Sequence, residues 1–255
     1  MAVLKVLIES RRPLALRDIA AATGMEPSNV HRYLASFKDA GMVSQDPLSS
    51  KYDIGPLAIE LGLAALSRLD GIDVGTEVMD RLVQSLEIDG HLCVWGSAGA
   101  TVIRWRAGGP EIAVRVAEGT VLPLLSSATG RTWWAFGQSS QVKRAEAREA
   151  ERIAARTGAT AAAVLKDLEP QLAEIVATGV SSSSSERREG IDALCAPVFD
   201  RAGVMALSIT LLSPTAGFDP RPEGLPVGRL RAAVEEISRR LGCGAVELSR
   251  YPWRG

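Results

Sequence analysis

The fold of this protein is decided by residues 27–40, which run Pro-Ser-Asn-Val-His-Arg-Tyr-Leu-Ala-Ser-Phe-Lys-Asp-Ala. Pro27 suits the first position of a helix, where its missing N–H leaves no bond unmade. Val30, Leu34 and Phe37 recur at helical spacing and form one apolar stripe. The opposite side carries small polar groups and one guanidinium, as required of a helix face that enters a major groove. The stretch therefore predicts a DNA-recognition helix.

Two shorter helices are predicted before it. Ala2–Ser10 places Leu4, Leu7 and Ile8 on one face. Leu16–Thr23 follows as the second helix. Gly24 comes next and can adopt the left-handed conformation in which helices often end. The order helix, helix, turn and recognition helix is typical of a helix-turn-helix.

A hairpin and a further helix are predicted after it. Residues 42–45 and 51–54 alternate in polarity across a turn, which favours a β-hairpin, the wing of a winged helix-turn-helix. Pro56–Leu69 then has an apolar stripe and is predicted to be a helix that links two domains and offers a dimer seam. The expected organisation is a DNA-binding domain over 1–55, a linker helix over 56–70 and an effector-binding domain over 71–255.

The third region mixes strands and helices without strict alternation, which favours an α+β domain around an antiparallel sheet. Strands are expected over 92–95, 102–106, 112–116, 191–199 and 204–212. Helices are expected over 129–137, 139–157, 160–178 and 229–241. The last two strands are joined by Asp200-Arg201-Ala202-Gly203, a favourable hairpin turn.

Composition narrows the possible functions. Hydrophobic residues make up 46% and charged residues 23%, the balance of a soluble globular protein, and no apolar run is long enough to span a membrane. We expect a cytoplasmic protein with no membrane partner, no cofactor and no metal, because three scattered cysteines and two histidines form no zinc motif. The net charge of −1 means that DNA affinity must come from a few contacts, doubled by dimerisation.

The order of several motifs resembles the IclR family of bacterial transcription regulators. The segments that carry the resemblance are Asp18-Ile19-Ala20, Gly24, residues 27–34, Gly41, Tyr52-Asp53-Ile54-Gly55, residues 122–131 and residues 186–210. Asn29 stands where the family usually has threonine, and Ile54 where it usually has leucine. The resemblance implies a GAF-like effector-binding domain, homodimers that can pair into tetramers, double-stranded operator DNA as partner, and a small-molecule effector.

DNA contacts are expected along the recognition helix and the wing. Arg32 can form two hydrogen bonds with guanine or bind a phosphate, Asn29 can form two hydrogen bonds with adenine, and Ser28 can bind a phosphate. His31 lies towards a flank and can serve the DNA backbone instead. The full set of candidates is Ser28, Asn29, His31, Arg32, Ser36 and Lys51. The alternative is a three-helix interaction module whose polar face is merely solvated.

The effector is expected between the sheet and the helix that begins near residue 130. The N–H groups at Thr129 and Gly130 are expected to be free to bind a carboxylate. Ser208 and Thr210 lie on one side of a strand and either anchor the ligand or satisfy each other in the core. The candidates are Ser126, Thr129, Gly130, Trp133, Ser183, Ala193, Ser208 and Thr210.

The aromatic residues bear on the class of ligand. Trp133 and Trp134 cannot both face one cavity, so one is expected in the core or pocket and the other at an interface. Aromatic walls suit a flat ligand such as a benzoate-like acid, although packing alone also explains them. The serine run 181–185 replaces the acidic residue that the family often has, which favours a less polar ligand; a surface linker is the alternative.

Catalysis is not indicated by any motif. The best candidate is His91 with Cys93, two apart on one strand, but His91 is expected to be exposed after a turn and no third group is evident. An organic-acid-responsive, DNA-binding regulator is therefore the predicted function. The alternative is a non-enzymatic ligand-binding or interaction protein without sequence-specific DNA binding.

Overall fold

The computed structural model describes residues 2–10, 12–67, 71–109, 116–183, 191–214, 219, 221, 224–244, 248–249 and 251–254. The chain folds as two compact units, 1–69 and 70–255. Within the described residues no helix is both long and apolar enough to cross a membrane.

The first unit is a helix-turn-helix followed by a two-stranded wing. Its elements are α1 (Ala2–Glu9), α2 (Leu16–Thr23), α3 (Pro27–Asp39), β1 (Val43–Gln45), β2 (Tyr52–Ile54) and α4 (Pro56–Ser67). The β1–β2 pair is antiparallel, with Ser44 opposite Asp53. Leu14 bridges to Tyr52 and ties the segment before α2 to the wing.

The core of the first unit follows the predicted helical faces with one exception. Val30 and Leu34 of α3 are fully buried, and Phe37 is half-buried against the same cluster. In α1, Leu7 is buried as expected, but Ile8 is 69% exposed and Val3 takes the buried position instead. The buried face of this short helix is therefore rotated by about one residue from the predicted face. Consecutive helix residues are 100° apart, so Ile8 can point to solvent while its neighbour Leu7 is buried.

The second unit is built on a five-stranded antiparallel sheet in the order β4-β3-β7-β6-β5. Its strands are β3 (Asp89–Trp95), β4 (Ala100–Arg106), β5 (Ser181–Ser183), β6 (Ile191–Phe199) and β7 (Met205–Pro214). Its helices are α5 (Ile72–Leu86), α6 (Ala128–Phe136), α7 (Ser140–Thr157), α8 (Ala161–Thr178) and α9 (Leu225–Arg240). The predicted fold class, an N-terminal helix-turn-helix with a mixed domain around an antiparallel sheet, is confirmed.

Helices cover both faces of this sheet. α5 and α9 pack together and against one face, and α6 packs on the other, backed by α7 and α8. The β6–β7 hairpin forms at the predicted turn, where Gly203 has φ 68°. The strand expected over 112–116 falls largely on residues 110–115, which lie outside the described residues. The serine run 181–185 begins as strand β5 over Ser181–Ser183, where the sequence had left open a surface linker or a stretch that contributes to the pocket. Residues 184–185 lie outside the described residues.

Candidate DNA-binding surface and effector site

The recognition helix presents the predicted polar side chains to solvent. Gly24 ends α2 at φ 66° and lets the chain turn directly into α3. Pro27 occupies the first turn of α3. With Val30 and Leu34 held inside, the five α3 candidates Ser28, Asn29, His31, Arg32 and Ser36 are all exposed.

The contacts of this polar face stay within its own helix. Arg32 Nη2 donates to Asn29 Oδ1 at 3.2 Å, and Ser36 Oγ donates to the carbonyl oxygen of Arg32 at 3.2 Å. Both bonds are exposed to water, so exchanging them for contacts to another molecule costs little. The guanidinium keeps further donors for such a molecule, since it carries five N–H groups.

The wing is bonded to the recognition helix and ends in a turn closed by hydrogen bonds. Lys38 Nζ of α3 donates to Gln45 Oε1 of β1 at 3.2 Å. At the tip, Asp46 Oδ1 accepts from the backbone N–H of Leu48 at 3.0 Å and of Ser49 at 2.6 Å. The bonds from Ser49 lower the pKa of Asp46. Lys51, the sixth candidate, follows this turn and is exposed.

In the second unit, strand pairing aligns five polar or aromatic side chains in one row. Trp105 of β4 lies opposite His91 of β3, His91 opposite Thr210 of β7, Thr210 opposite Cys195 of β6, and Cys195 opposite Ser181 of β5. Residues directly opposite each other in antiparallel strands share one face of the sheet. We call Trp105, His91, Thr210, Cys195 and Ser181 the central row.

α6 lies on this row and bonds to the row and to Ser208 beside it through side-chain groups. Thr129 Oγ1 is 3.1 Å from His91 Nε2 and 2.7 Å from Thr210 Oγ1. Trp133 Nε1 donates to Ser208 Oγ at 3.2 Å. Four of the effector candidates are thus buried and bonded in two pairs, Thr129 with Thr210 and Trp133 with Ser208.

The other four candidates are placed differently. Ser183 and Ala193 lie opposite each other on β5 and β6, on the same face as the central row. Ser126 is exposed in the turn before α6. Gly130 lets α6 pack closely against the backbone of residues 123–124, since a Cβ there would overlap the carbonyl oxygen of Pro123.

One predicted anchor at the start of α6 is already occupied. The N–H of Gly130 was expected to be free for a carboxylate, but it donates to Ser127 Oγ at 2.9 Å. Ser127 is the N-cap of this helix, a position that serine fills by accepting from the third helical N–H. The prediction of a free N–H at Gly130 was therefore wrong.

His91 occupies a position that its sequence context did not indicate. It was expected to be exposed, but β3 begins at Asp89, and His91 is only 2% exposed. Burial lowers the pKa of His91 to about 3, so the imidazole is neutral. The alternation of His91, Cys93 and Trp95 with apolar residues was the signal that could have placed it on an inward face.

The cysteines on this face have the properties of packed thiols. Burial raises the pKa of Cys93 well above its usual value and also raises the pKa of Cys195. The imidazole of His91 is directed to Thr129 through Nε2. An activated thiolate, which nucleophilic catalysis by Cys93 would need, is not favoured here.

The tryptophans differ in burial. Trp133 is buried and its ring lies 5.5 Å from that of Trp95, while Trp134 is half-buried against the same main core.

Within the described residues no group of three His, Cys, Asp or Glu side chains could hold a metal ion.

Comparisons of the sequence and of the structure with known proteins agree on one family. The IclR helix-turn-helix domain matches residues 1–47, and the C-terminal domain of bacterial transcriptional regulator IclR matches residues 63–239. The glycerol operon regulatory protein of Streptomyces griseus is 30% identical over 95% of this chain and 94% of its own. The crystal structure of Pseudomonas aeruginosa HmgR is 32% identical, with a TM-score of 0.59 over 96% of both chains.

A third relative shares the fold at lower identity. An IclR homologue from Microbacterium hydrocarbonoxydans, crystallised with 4-hydroxybenzoate, has a TM-score of 0.75 at 18% identity, over 94% of this chain and 96% of its own. With both domain models matched in order along the chain, this protein belongs to the IclR family of bacterial transcriptional regulators.

Proposed function

We propose that the protein binds double-stranded operator DNA and that a small organic effector, a carboxylate or aromatic acid from a catabolic pathway, changes that binding. Regulators of this family bind operator DNA and small-molecule effectors. The observation that carries the proposal for this chain is the exposed polar face of α3, centred on Arg32 and backed by Val30 and Leu34.

The DNA contacts are assigned by chemistry and position. Arg32 and Asn29 contact base edges in the major groove, because their side chains can form paired hydrogen bonds with guanine and adenine. Ser28, His31 and Ser36 flank them on the same helix. Lys51 approaches a phosphate from the wing, adding a contact without sequence preference.

Dimerisation is proposed to supply the second half-site. In α4 the apolar side chains of Ile59, Leu61 and Leu63 are 62%, 52% and 62% exposed. Ile59 and Leu63 are four residues apart and lie on the same side of α4, and exposed aliphatic side chains on one helix face favour a protein–protein contact. Two recognition helices in a dimer would engage half-sites about 34 Å, or a multiple of one helical turn, apart, and pairing of dimers would give a tetramer.

The effector is proposed to bind on the α6-facing side of the sheet, among the candidates Ser126, Thr129, Trp133, Ser183, Ala193, Ser208 and Thr210. Buried hydroxyls beside aromatic rings suit a small, partly apolar acid. The complex of the Microbacterium homologue shows that this fold accommodates an aromatic acid in another protein. For this chain the support comes from its own residues.

A gel-shift titration with DNA from upstream of the gene tests DNA binding. Arg32→Ala is expected to cost about 1–3 kcal/mol of specific binding. Arg156→Ala, the same change of charge at an exposed position of α7, is the matched control and should bind as the natural protein does. Equal affinity of Arg32→Ala and the natural protein would refute the assignment. Absence of any operator shift by the natural protein would favour the alternative of a ligand-binding protein without DNA recognition.

Effector control is tested by a thermal-shift screen of small acids and aromatics, followed by gel shifts with the ligands that stabilise the protein. A coupling of about 1–3 kcal/mol, or 5- to 150-fold in operator affinity, is expected. A ligand that binds the protein and leaves operator affinity unchanged would contradict the coupling.

A further inference from the structure

The tip of the wing carries the most exposed large apolar side chain among the described residues. Leu48 is 95% exposed in the turn between β1 and β2, and it follows Pro47, which is also exposed. A single exposed leucine is common on protein surfaces. This one differs in its position, because it stands at the end of the wing beside the helix that we assign to the major groove.

Hydrogen bonds within the turn hold Leu48 outward. Asp46 Oδ1 accepts from the backbone N–H groups of Leu48 and Ser49 and from Ser49 Oγ, the last at 2.8 Å. The backbone N–H of Ser50 donates to the carbonyl oxygen of Asp46 at 2.9 Å. Ser50 has φ 57°, a left-handed conformation that a serine adopts at a cost. The polar groups thus serve the turn itself, and the leucine is the side chain that the turn presents to solvent.

The order of residues along the wing places Leu48 beyond a phosphate contact. Lys38, in the last turn of α3, donates to Gln45 at the end of β1. The N–H of Asp46 donates to the carbonyl oxygen of Lys51 at 2.9 Å, so Lys51 lies at the base of the turn. With α3 in the major groove and Lys51 at the adjoining phosphates, the tip reaches the next minor groove. That groove is about 6 Å wide and admits one aliphatic side chain.

The chemistry of Leu48 suits base planes better than phosphates or base edges. A leucine side chain can form no hydrogen bond, but it can be buried between two base pairs that have separated. Leucine and proline are among the side chains that open base steps from the minor groove and bend the duplex towards the major groove. A bend in that direction closes the DNA around α3, which occupies the major groove.

We propose that Leu48, supported by Pro47, inserts between two base pairs in the minor groove next to the recognition helix and bends the operator. This inference rests on the proposed DNA-binding function and adds a residue that reads the deformability of DNA. Pyrimidine–purine steps such as TA and CA separate most easily. Such steps are therefore preferred at the position that the tip contacts.

Gel shifts and bend measurements on the same DNA test the proposal. The probe is a fragment from upstream of the gene that the natural full-length protein shifts, circularly permuted so that the site lies at its middle or its end. The natural protein is expected to bend it by about 20° or more. Leu48→Ser should lose most of the bend and about tenfold in operator affinity, equivalent to about 1.4 kcal/mol.

Two further variants complete the design. Leu48→Met keeps a long apolar side chain at the tip and should keep the bend, because methionine also serves in such insertions. Leu225→Ser makes the same change as Leu48→Ser at a leucine of α9 that is 64% exposed, and it should bind and bend as the natural protein does. Circular dichroism establishes that each variant is folded. An equal bend in Leu48→Ser and the natural protein would overturn the proposal.

A fluorescent base reports the insertion itself. 2-Aminopurine is quenched while it is stacked, so its fluorescence should rise at one step beside the site when the natural protein binds. Leu48→Ser should give no rise at that step, and Leu48→Met should restore it. An unbent complex, or a rise that Leu48→Ser retains, would contradict the insertion of Leu48.

Failure of this inference is separable from failure of the proposed function. If Arg32→Ala weakens operator binding while Leu48→Ser keeps the natural affinity and bend, the insertion is wrong and DNA recognition stands. If the natural protein shifts no DNA from upstream of the gene, the proposed function and the insertion both fail.

Discussion

The two units of the molecule display their candidate functional side chains in opposite ways. In the first unit the candidate side chains on the polar face of α3 are exposed, and the bonds of Arg32 and Ser36 stay within their own helix. In the second unit Thr129, Thr210 and His91 are buried and bonded across α6, β7 and β3. A surface that meets a large polyanion can be built on one helix, whereas a site that encloses a small molecule must also be part of a core.

This difference predicts how function and stability separate in each unit. Substitutions on the exposed face of α3 should change DNA binding and leave the free energy of unfolding nearly unchanged. Substitutions at the central row should change both ligand binding and the free energy of unfolding, because its side chains hold α6 on the sheet.

The largest effect is expected at Gly130. Gly130→Ala would place a Cβ 2.6 Å from the α-carbon of Leu124 and overlapping the carbonyl oxygen of Pro123, so α6 must move away. We expect a loss of about 3 kcal/mol or more in the free energy of unfolding of the second unit. Chemical denaturation monitored by tryptophan fluorescence measures it, because all five tryptophans lie in this unit.

Gly228→Ala is the matched control for this change. Gly228 lies inside α9, and a Cβ there would meet nothing within 4 Å. The same substitution should therefore be neutral or stabilising by up to about 1 kcal/mol. Equal denaturation midpoints for the two variants would show that α6 is not held closely against residues 123–124.

A pH dependence is the next largest effect. Burial lowers the pKa of His91 to about 3, against an ordinary value of 6.5. The unfolded chain therefore binds a proton at this residue below pH 6.5 and the folded chain does not, so the stability of the fold decreases as the pH falls through that range. Between pH 7 and pH 5 this single group should cost about 2 kcal/mol.

Comparison of variants isolates that contribution from the carboxyl groups. In His91→Gln the loss of stability between pH 7 and pH 5 should be smaller than in the natural protein by this amount. His31→Gln, the same substitution on the exposed face of α3, provides the control and should retain the full pH dependence. A His91→Gln variant with the pH profile of the natural protein would mean that His91 is accessible to protons in the folded state.

A smaller effect distinguishes the hydrogen bonds of the two units. Thr129 and Thr210 form a buried bond at 2.7 Å, and Arg32 and Asn29 form an exposed one at 3.2 Å. Double-mutant cycles on the free energy of unfolding should give a coupling of about 1 kcal/mol for the threonine pair. The exposed pair should give about 0.3 kcal/mol. Similar couplings would remove the distinction drawn between the units.

The same contrast explains which features the sequence could predict. The bounds of α2, the left-handed Gly24 and the buried stripe of α3 depend on neighbours within one or two turns, and local periodicity predicted them. The turn at Gly203 was likewise predicted from four adjacent residues.

The central row could not be predicted in this way. It joins Trp105, His91 and Ser181 through the register of strands far apart in the sequence, and register is set by the whole sheet. His91 was assigned to the surface because it follows Asp89-Gly90, although those two residues are the first of β3. Helix α5, which begins just after a break in the apolar pattern, was not indicated either.

The smallest effect on stability is expected at the wing. Lys51 is exposed and follows a turn that Asp46 holds in place, so Lys51→Ala should change the free energy of unfolding by less than about 0.5 kcal/mol. If its ammonium contacts a phosphate, the slope of log affinity for operator DNA against log salt should fall in magnitude by about 1, with equal weakening for operator and unrelated DNA. Arg32→Ala should instead weaken operator binding more than binding to unrelated DNA. An unchanged salt slope for Lys51→Ala would remove the wing from the DNA-binding surface and leave recognition to α3.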